Sequence, residues 1–492
     1  MTRSHRRNRL SLRADRERKT RAKRSFPWPA AYFSGALSGD RKRLLSIEPL
    51  EARRVLSGLT ITVNTANDTH AQDASTSDVD ANDNVSLRSA IEYLNATTTA
   101  NATVNFDNSI GGTIDLTLGQ LEIAESMTIN GPGSGSLTID QSTSFAHVFE
   151  IDATDVNMNP VDVSMSGLTL TGGNTTAIYP NGTGGGIYNN GSLSLDGMTL
   201  SGNSAFSFGG GISNFGTLDV TDSTIESNSA DRGGGGIANF GTFAANGSTI
   251  SGNSASGDGG GGIYNDGVLT VTDSNLSNNS NIGDLGGGGI YSDRSLMLTG
   301  STISGNYGQD SGGGIENAGT ATVTASTLSG NSTGVGPVRG GGIDNSGTVI
   351  VTDSTLSNNF SHVGGGLANS GTATVIGSTL SGNSTGDSGG GGGIYNVGTV
   401  GMIDSTLSGN YTGPDERGGG IYNGAGGAAT VTDSTVSDNS AHTGGGIFDV
   451  GGATANVANT IIAGNTFTSG GSDPNVAGGF AATDHDLIGL VG

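Results

Sequence analysis

The chain has 492 residues, no cysteine, and 89 glycines against 14 Phe, 10 Tyr and 1 Trp. Without cysteine it has no disulfide framework and no thiol-based metal or catalytic chemistry. The net charge of −23 hides two opposite parts: residues 1–57 hold 16 of the 21 basic residues against 5 acids, and residues 58–492 hold 5 arginines against 39 acids. Nucleic acid is a poor partner for such a body, because phosphate contacts need dense positive charge. An acidic, cation-attracting surface suits an extracellular or cell-surface protein.

Residues 1–57 read as a basic export or sorting segment, largely disordered. The one weakly apolar stretch, residues 26–37, is interrupted by Pro27, Pro29 and Ser34, and nothing in the chain is long enough to cross a membrane as a helix. Residues 47–57 read IEPLEARRVLS. With Glu48, Pro49, Arg53, Leu56 and Ser57 in place, this stretch resembles the LEPR-XLL N-terminal segment of large surface and secreted proteins of certain bacteria. The resemblance implies export or surface sorting.

Residues 58–160 read as an N-terminal cap and first coils. A strand over residues 59–65 is followed by an acidic loop, and then Leu87, Ile91 and Leu94 mark a short amphipathic helix. A solenoid with an apolar end needs such a lid. In the loop, the oxygen-bearing side chains of Asp78, Asp80 and Asn82 echo the spacing of a calcium site. Asp83 stands where that pattern wants Gly, and Ser89 where it wants Glu. Calcium and an ordinary acidic loop both stay open. The stretch VSLRSAIEYLN and the GGTIDLTLGQLEIAESMTINGPGSGSLTID behind it are similar to the CSLREA-type N-terminal domain, with Val85 in place of its Cys and Ser89 in place of its Glu.

Residues 161–470 repeat one unit, clearest over residues 259–280 as GGGGIYNDGVLTVTDSNLSNNS. Its apolar residue recurs at Ile187, Ile212, Ile237, Ile263, Ile290, Ile315, Ile343, Leu367, Ile394, Ile421 and Ile447, at intervals of 24 to 28 residues. A second apolar column, from Leu200 to Ile462, keeps step and is followed three residues later by Asn in every repeat, Asn203 through Asn465. A fixed period in this range means stacked supersecondary units. Alternation such as Leu269 and Val271 between Thr270 and Thr272 is strand periodicity. The unit therefore predicts three short strands per turn of an all-β, right-handed parallel β-helix of the pectate-lyase-like kind. Asn follows the first column by two in nine repeats, which predicts buried amide stacks. The GGGIYN and SGNS units resemble the β-helix repeats of the polymorphic outer-membrane protein family, which implies the same fold and a surface location.

Catalytic signatures are sparse. Arg232, Arg339 and Arg417 precede Gly runs several turns apart, the six His are isolated, and no Gly run leads into the Lys-Ser/Thr of a phosphate loop. Asp222, Asp273, Asp353, Asp404 and Asp433 share a column with Gly247, Gly300, Ala325 and Gly377, an interleaving that relieves stacked charge. The variable segments between each SGN and the next Gly run are where recognition is expected on a rigid scaffold. Taken together, the sequence predicts a non-catalytic, adhesin-like or glycan-binding surface scaffold. A polysaccharide lyase-like enzyme acting on acidic glycans and a structural envelope component are the alternatives. A cell-surface glycan or protein is the expected partner. Residues 471–492 read as a tail that leaves the last coil open to end-to-end self-association.

Overall fold

The computed structural model describes residues 58–97, 99, 101–142, 145–175, 182–257, 259–283, 286–334, 339–386, 389–482 and 486–489. The basic segment with its LEPR-XLL-like stretch lies outside them.

The described chain is a right-handed parallel β-helix. In the clearest repeat, Ile263–Asn265 belongs to a 14-stranded sheet, Val268–Thr272 to one of 16 strands, and Asn275–Ser277 to one of 15. We call these sheets I, II and III. Like residues stand in register from coil to coil, as in Ile263 on Ile290 and Leu276 on Ile303. Parallel pairing sets the rise at about 4.8 Å per coil. The two sequence columns are the core. Ile187 through Ile447 and Leu200 through Ile462 are 0–1% exposed, as are most of the paired inward residues of sheet II, among them Leu269 and Val271. Volumes compensate along the cylinder: Phe243 fills its layer beside the small Ala245, both buried.

Three sheets were expected, and the structure adds a fourth. Two-residue strands such as Ser280–Asn281 pair across nine consecutive coils, from Asn174–Thr175 to Ser384–Thr385. They begin the variable segments read as loops. Each buries one residue inward, often a small one such as Ala205, Ala230 and Ala255. Residues 476–488, read as part of the tail, give sheets I, II and III one more strand each.

The Gly run closes the corner before sheet I. Gly209 has φ 70°, and a Cβ on Gly210 would lie 2.3–2.4 Å from the carbonyl oxygens of Ser229 and Gly235 in the next coil. Here the backbones approach too closely for any side chain.

The lid is the helix Leu87–Thr97, with Leu87, Ile91 and Leu94 buried as their spacing predicted. Arg88 pins it. Its Nε donates to Asp68 Oδ1 at 2.6 Å, and its terminal nitrogens donate to the carbonyls of Gln120 (2.8 Å) and Gly119 (2.6 Å). Asp68 also accepts the backbone N–H groups of Thr117 and Leu118. A buried ion pair this fully hydrogen-bonded holds cap and first coil together.

Candidate functional site

Inside the cylinder the polar columns are structural. Each Asn of the second column donates from Nδ2 to the Oδ1 of the next, Asn203 to Asn228 and onward to Asn465 and Asn475, at 2.9–3.0 Å. The column after the isoleucines does the same at 2.7–2.8 Å, as in Asn189 to Asn214 and Asn396 to Asn423, with a break at Ser292. Sequence reasoning missed a third column, in which each Ser hydroxyl accepts the backbone N–H of the Ser one coil before, as Ser248 does from Ser223.

Outside, the deciding column is the middle residue of the sheet I strands. Its side chain alternates outward between the buried Ile and Asn. In register it reads Glu122, Glu150, Tyr188, Ser213, Ala238, Tyr264, Tyr291, Glu316, Asp344, Ala368, Tyr395, Tyr422 and Phe448. At the small Ser213 and Ala238 the rings come instead from Phe215 and Phe240, two residues on.

The result is a continuous chain of ring contacts. His147 meets Tyr188 (5.5 Å between centroids), Tyr188 meets Phe215 (5.4 Å), Phe215 stacks on Phe240 (4.8 Å), Phe240 meets Tyr264 (5.7 Å), and Tyr264 stacks on Tyr291 (5.4 Å, 11°). A second stack joins Tyr395 to Tyr422 (5.1 Å, 6°) and Tyr422 to Phe448 (5.5 Å), with the Arg417 guanidinium 4.9 Å from the Phe448 centroid. Tyr264, Tyr291, Tyr395 and Tyr422 are each partly exposed.

A groove runs beside each stack. The first, about 750 Å³, is lined by Phe240, Val268, Asp266, Asp293 and Arg294. Arg294 Nε donates to Asp266 at 2.8 Å, and the Tyr291 hydroxyl donates to Asp293 at 3.0 Å. The second, about 360 Å³, is lined by Tyr395, Tyr422, Asp415, Glu416 and Arg417.

Between the stacks, Glu316 and Asp344 are paired on adjacent coils and half-buried. Burial pushes the Glu316 carboxyl up, although the Ser311 hydroxyl donates to it at 2.7 Å. Burial and the Glu316 charge push Asp344 up to about 7, against the pull of Arg339. The sequence pattern hid this pair, because the Ile and Asn columns set the alignment and the residue between them was passed over. Glu122 and Glu150 form a comparable pair near the cap, both raised by burial and by Asp152.

The predicted calcium residues lie on a turn. Asp80 is buried. Its Oδ1 accepts the N–H groups of Asn82 (2.7 Å) and Asn84 (3.0 Å), and its Oδ2 accepts the Thr69 hydroxyl (3.0 Å). Burial opposes ionisation of Asp80, but these hydrogen bonds outweigh it and the carboxyl is held low. Asp78 is partly exposed and Asn82 exposed. Arg232, Arg339 and Arg417 are all exposed and stand on separate coils.

No known family model matches the chain, and no curated protein does. The likenesses to the LEPR-XLL, CSLREA-type and polymorphic outer-membrane families rest on the residues quoted above. Among solved structures, the A-module of mannuronan C-5 epimerase AlgE6 from Azotobacter vinelandii is similar at 13% identity and TM-score 0.36, over 87% of this chain and 100% of that one. The Dettilon tailspike protein is similar at 11% and 0.32, over 83% and 68%. PfbA, a surface adhesin of Streptococcus pneumoniae, is similar at 11% and 0.29, over 82% and 88%. At these values the likeness goes no further than the β-helix. No helix among the described residues is long and apolar enough to cross a membrane.

Proposed function

We propose that the protein is an extracellular or cell-surface scaffold that binds glycan on the outward face of sheet I. The observation that carries this reading is the pair of solvent-facing aromatic stacks, each beside a groove with an arginine and two carboxylates. Rings take the apolar faces of sugars, and flanking charged groups hydrogen-bond the hydroxyls. Aromatic residues there have no packing duty toward the core, which the Ile and Leu columns already fill. A glycan array on the full chain tests the reading. Binding by the wild type that is lost when Tyr264, Tyr291, Tyr395 and Tyr422 are all replaced by Ala supports it, and no binding to any glycan contradicts it.

One observation favours the enzymatic alternative, which is that Glu316 and Asp344 sit together with raised pKa values. Such a pair is what acid–base cleavage of a glycosidic bond uses. Release of new reducing ends or unsaturated uronates that disappears in Glu316→Gln or Asp344→Asn establishes cleavage. Their absence with every bound glycan leaves the scaffold reading. Calcium on Asp78, Asp80 and Asn82 is a separate proposal for the cap loop. It is tested by a Tm that calcium raises in the wild type but not in Asp78→Asn.

A further inference from the structure

The two aromatic stacks stand on one column but are separate. The first ends at Tyr291, the second begins at Tyr395, and the coils of Glu316, Asp344 and Ala368 lie between. From Tyr291 to Tyr395 is four coils, about 19 Å at the parallel-sheet spacing. The grooves flank opposite edges of sheet I. Asp266 and Arg294 follow their strands, Ile263–Asn265 and Ile290–Ser292, whereas Asp415 and Arg417 precede theirs, Ile421–Asn423. A chain passing from one groove to the other must cross the column obliquely, over Glu316 and Asp344.

We infer that the two stacks are subsites for a single neutral, linear polysaccharide chain, which the protein grips at both ends of this crossing. This rests on the glycan-binding reading above and adds the ligand's charge and its minimum length. Residues 58–492 carry 39 acids against 5 arginines, Arg88 is buried in the cap, and Arg294 is already paired with Asp266. A polyuronate therefore meets repulsion that only Arg339 and Arg417 along the path offset. Each groove sets two acids against one arginine, which leaves a polycation only a net charge of −1 to bind there. Hydroxyls of a neutral sugar suit this mixture of donors and acceptors, and they suit Glu316 and Asp344, half-buried acids that burial drives toward their neutral, hydrogen-bond-donating form. Chain length acts through effective concentration. Once one subsite is filled, a chain long enough to reach the other binds it intramolecularly, a gain of up to ~10²–10⁴ in affinity when the span is matched.

The test is titration calorimetry of the full chain with neutral β-linked glucan and N-acetylglucosamine oligomers, from disaccharide to octasaccharide, with polygalacturonate as the anionic probe. For at least one neutral series, affinity should rise more than about tenfold once the oligomer spans both stacks, while stoichiometry falls from two oligomers per chain to one. Tyr264→Ala with Tyr291→Ala, or Tyr395→Ala with Tyr422→Ala, should each remove that gain and leave short-oligomer binding at the intact stack. Circular dichroism and Tm check that each variant is folded. The wild-type length series stands without the variants if one is not. An affinity independent of length, a constant stoichiometry, or tighter binding of polygalacturonate overturns the inference while leaving glycan binding intact. No binding of any probe overturns both.

Discussion

Asp222, Asp273, Asp353, Asp404 and Asp433 occupy a left-handed turn position, with φ between 46° and 52°, and their columnar neighbours Gly247, Gly300 and Gly377 share that conformation. The alternation of Asp with Gly therefore has a backbone cause besides relief of charge, since these residue types tolerate the left-handed region. Ala325 sits in the same column at φ 49° and lacks that tolerance. Ala325→Gly is expected to raise stability by about 1 kcal/mol in urea unfolding. The buried amides predict a larger effect of opposite sign. Asn331 accepts from Asn306 and donates to Asn359 and to the Ile303 carbonyl. Asn331→Ala strands these groups in the core, at ~1–3 kcal/mol for each unsatisfied one, and should lower the urea midpoint sharply. Asp344 supplies a pH signature. Its carboxyl titrates near 7 when folded, above its unfolded value near 4. The folded state thus binds the proton more tightly, and this contribution to stability is complete below about pH 4 and lost as pH rises through 7. Thermal melts of Asp344→Asn should lack that decline.

At the scale of elements, the cap depends on Arg88. Removing it leaves Asp68 charged and buried, so Arg88→Ala is expected to cost ~3–5 kcal/mol, with hydrogen exchange rising first in the helix Leu87–Thr97 and the first coils. The fold was legible because a solenoid writes its register into the sequence: Ile187 to Ile447 and Asn203 to Asn465 are columns in the chain before they are ladders in space. The fourth sheet was not legible, because strands such as Ser204–Ala205 and Tyr307–Gly308 are too short to show a period. The face of sheet I escaped for the opposite reason. Its column varies from Tyr to Ser, Ala, Glu and Asp, and only the in-register pairing turns that variation into two aromatic stacks around an acid pair. Reading the residue between the Ile and Asn columns was the available signal. Phe215 and Phe240 carried none, since they belong to the turn after the strand and only their ring contacts in the folded chain join them to the stack.

At the scale of the whole molecule, a uniform core carries a non-uniform surface, and the surface is where function is proposed. If neutral sugars are held by rings and hydroxyls, added salt should change their affinity little, because screening acts on charge pairs. Hydroxyl-radical footprinting of the full chain, with and without a saturating neutral polysaccharide, probes the sheet I face itself, because it reads individual side chains without altering them. Tyr264, Tyr291, Tyr395 and Tyr422 are expected to become protected from oxidation together, while Tyr411, 52% exposed and away from sheet I, keeps its reactivity. Protection of Tyr411 with the four sheet I tyrosines unchanged would contradict it.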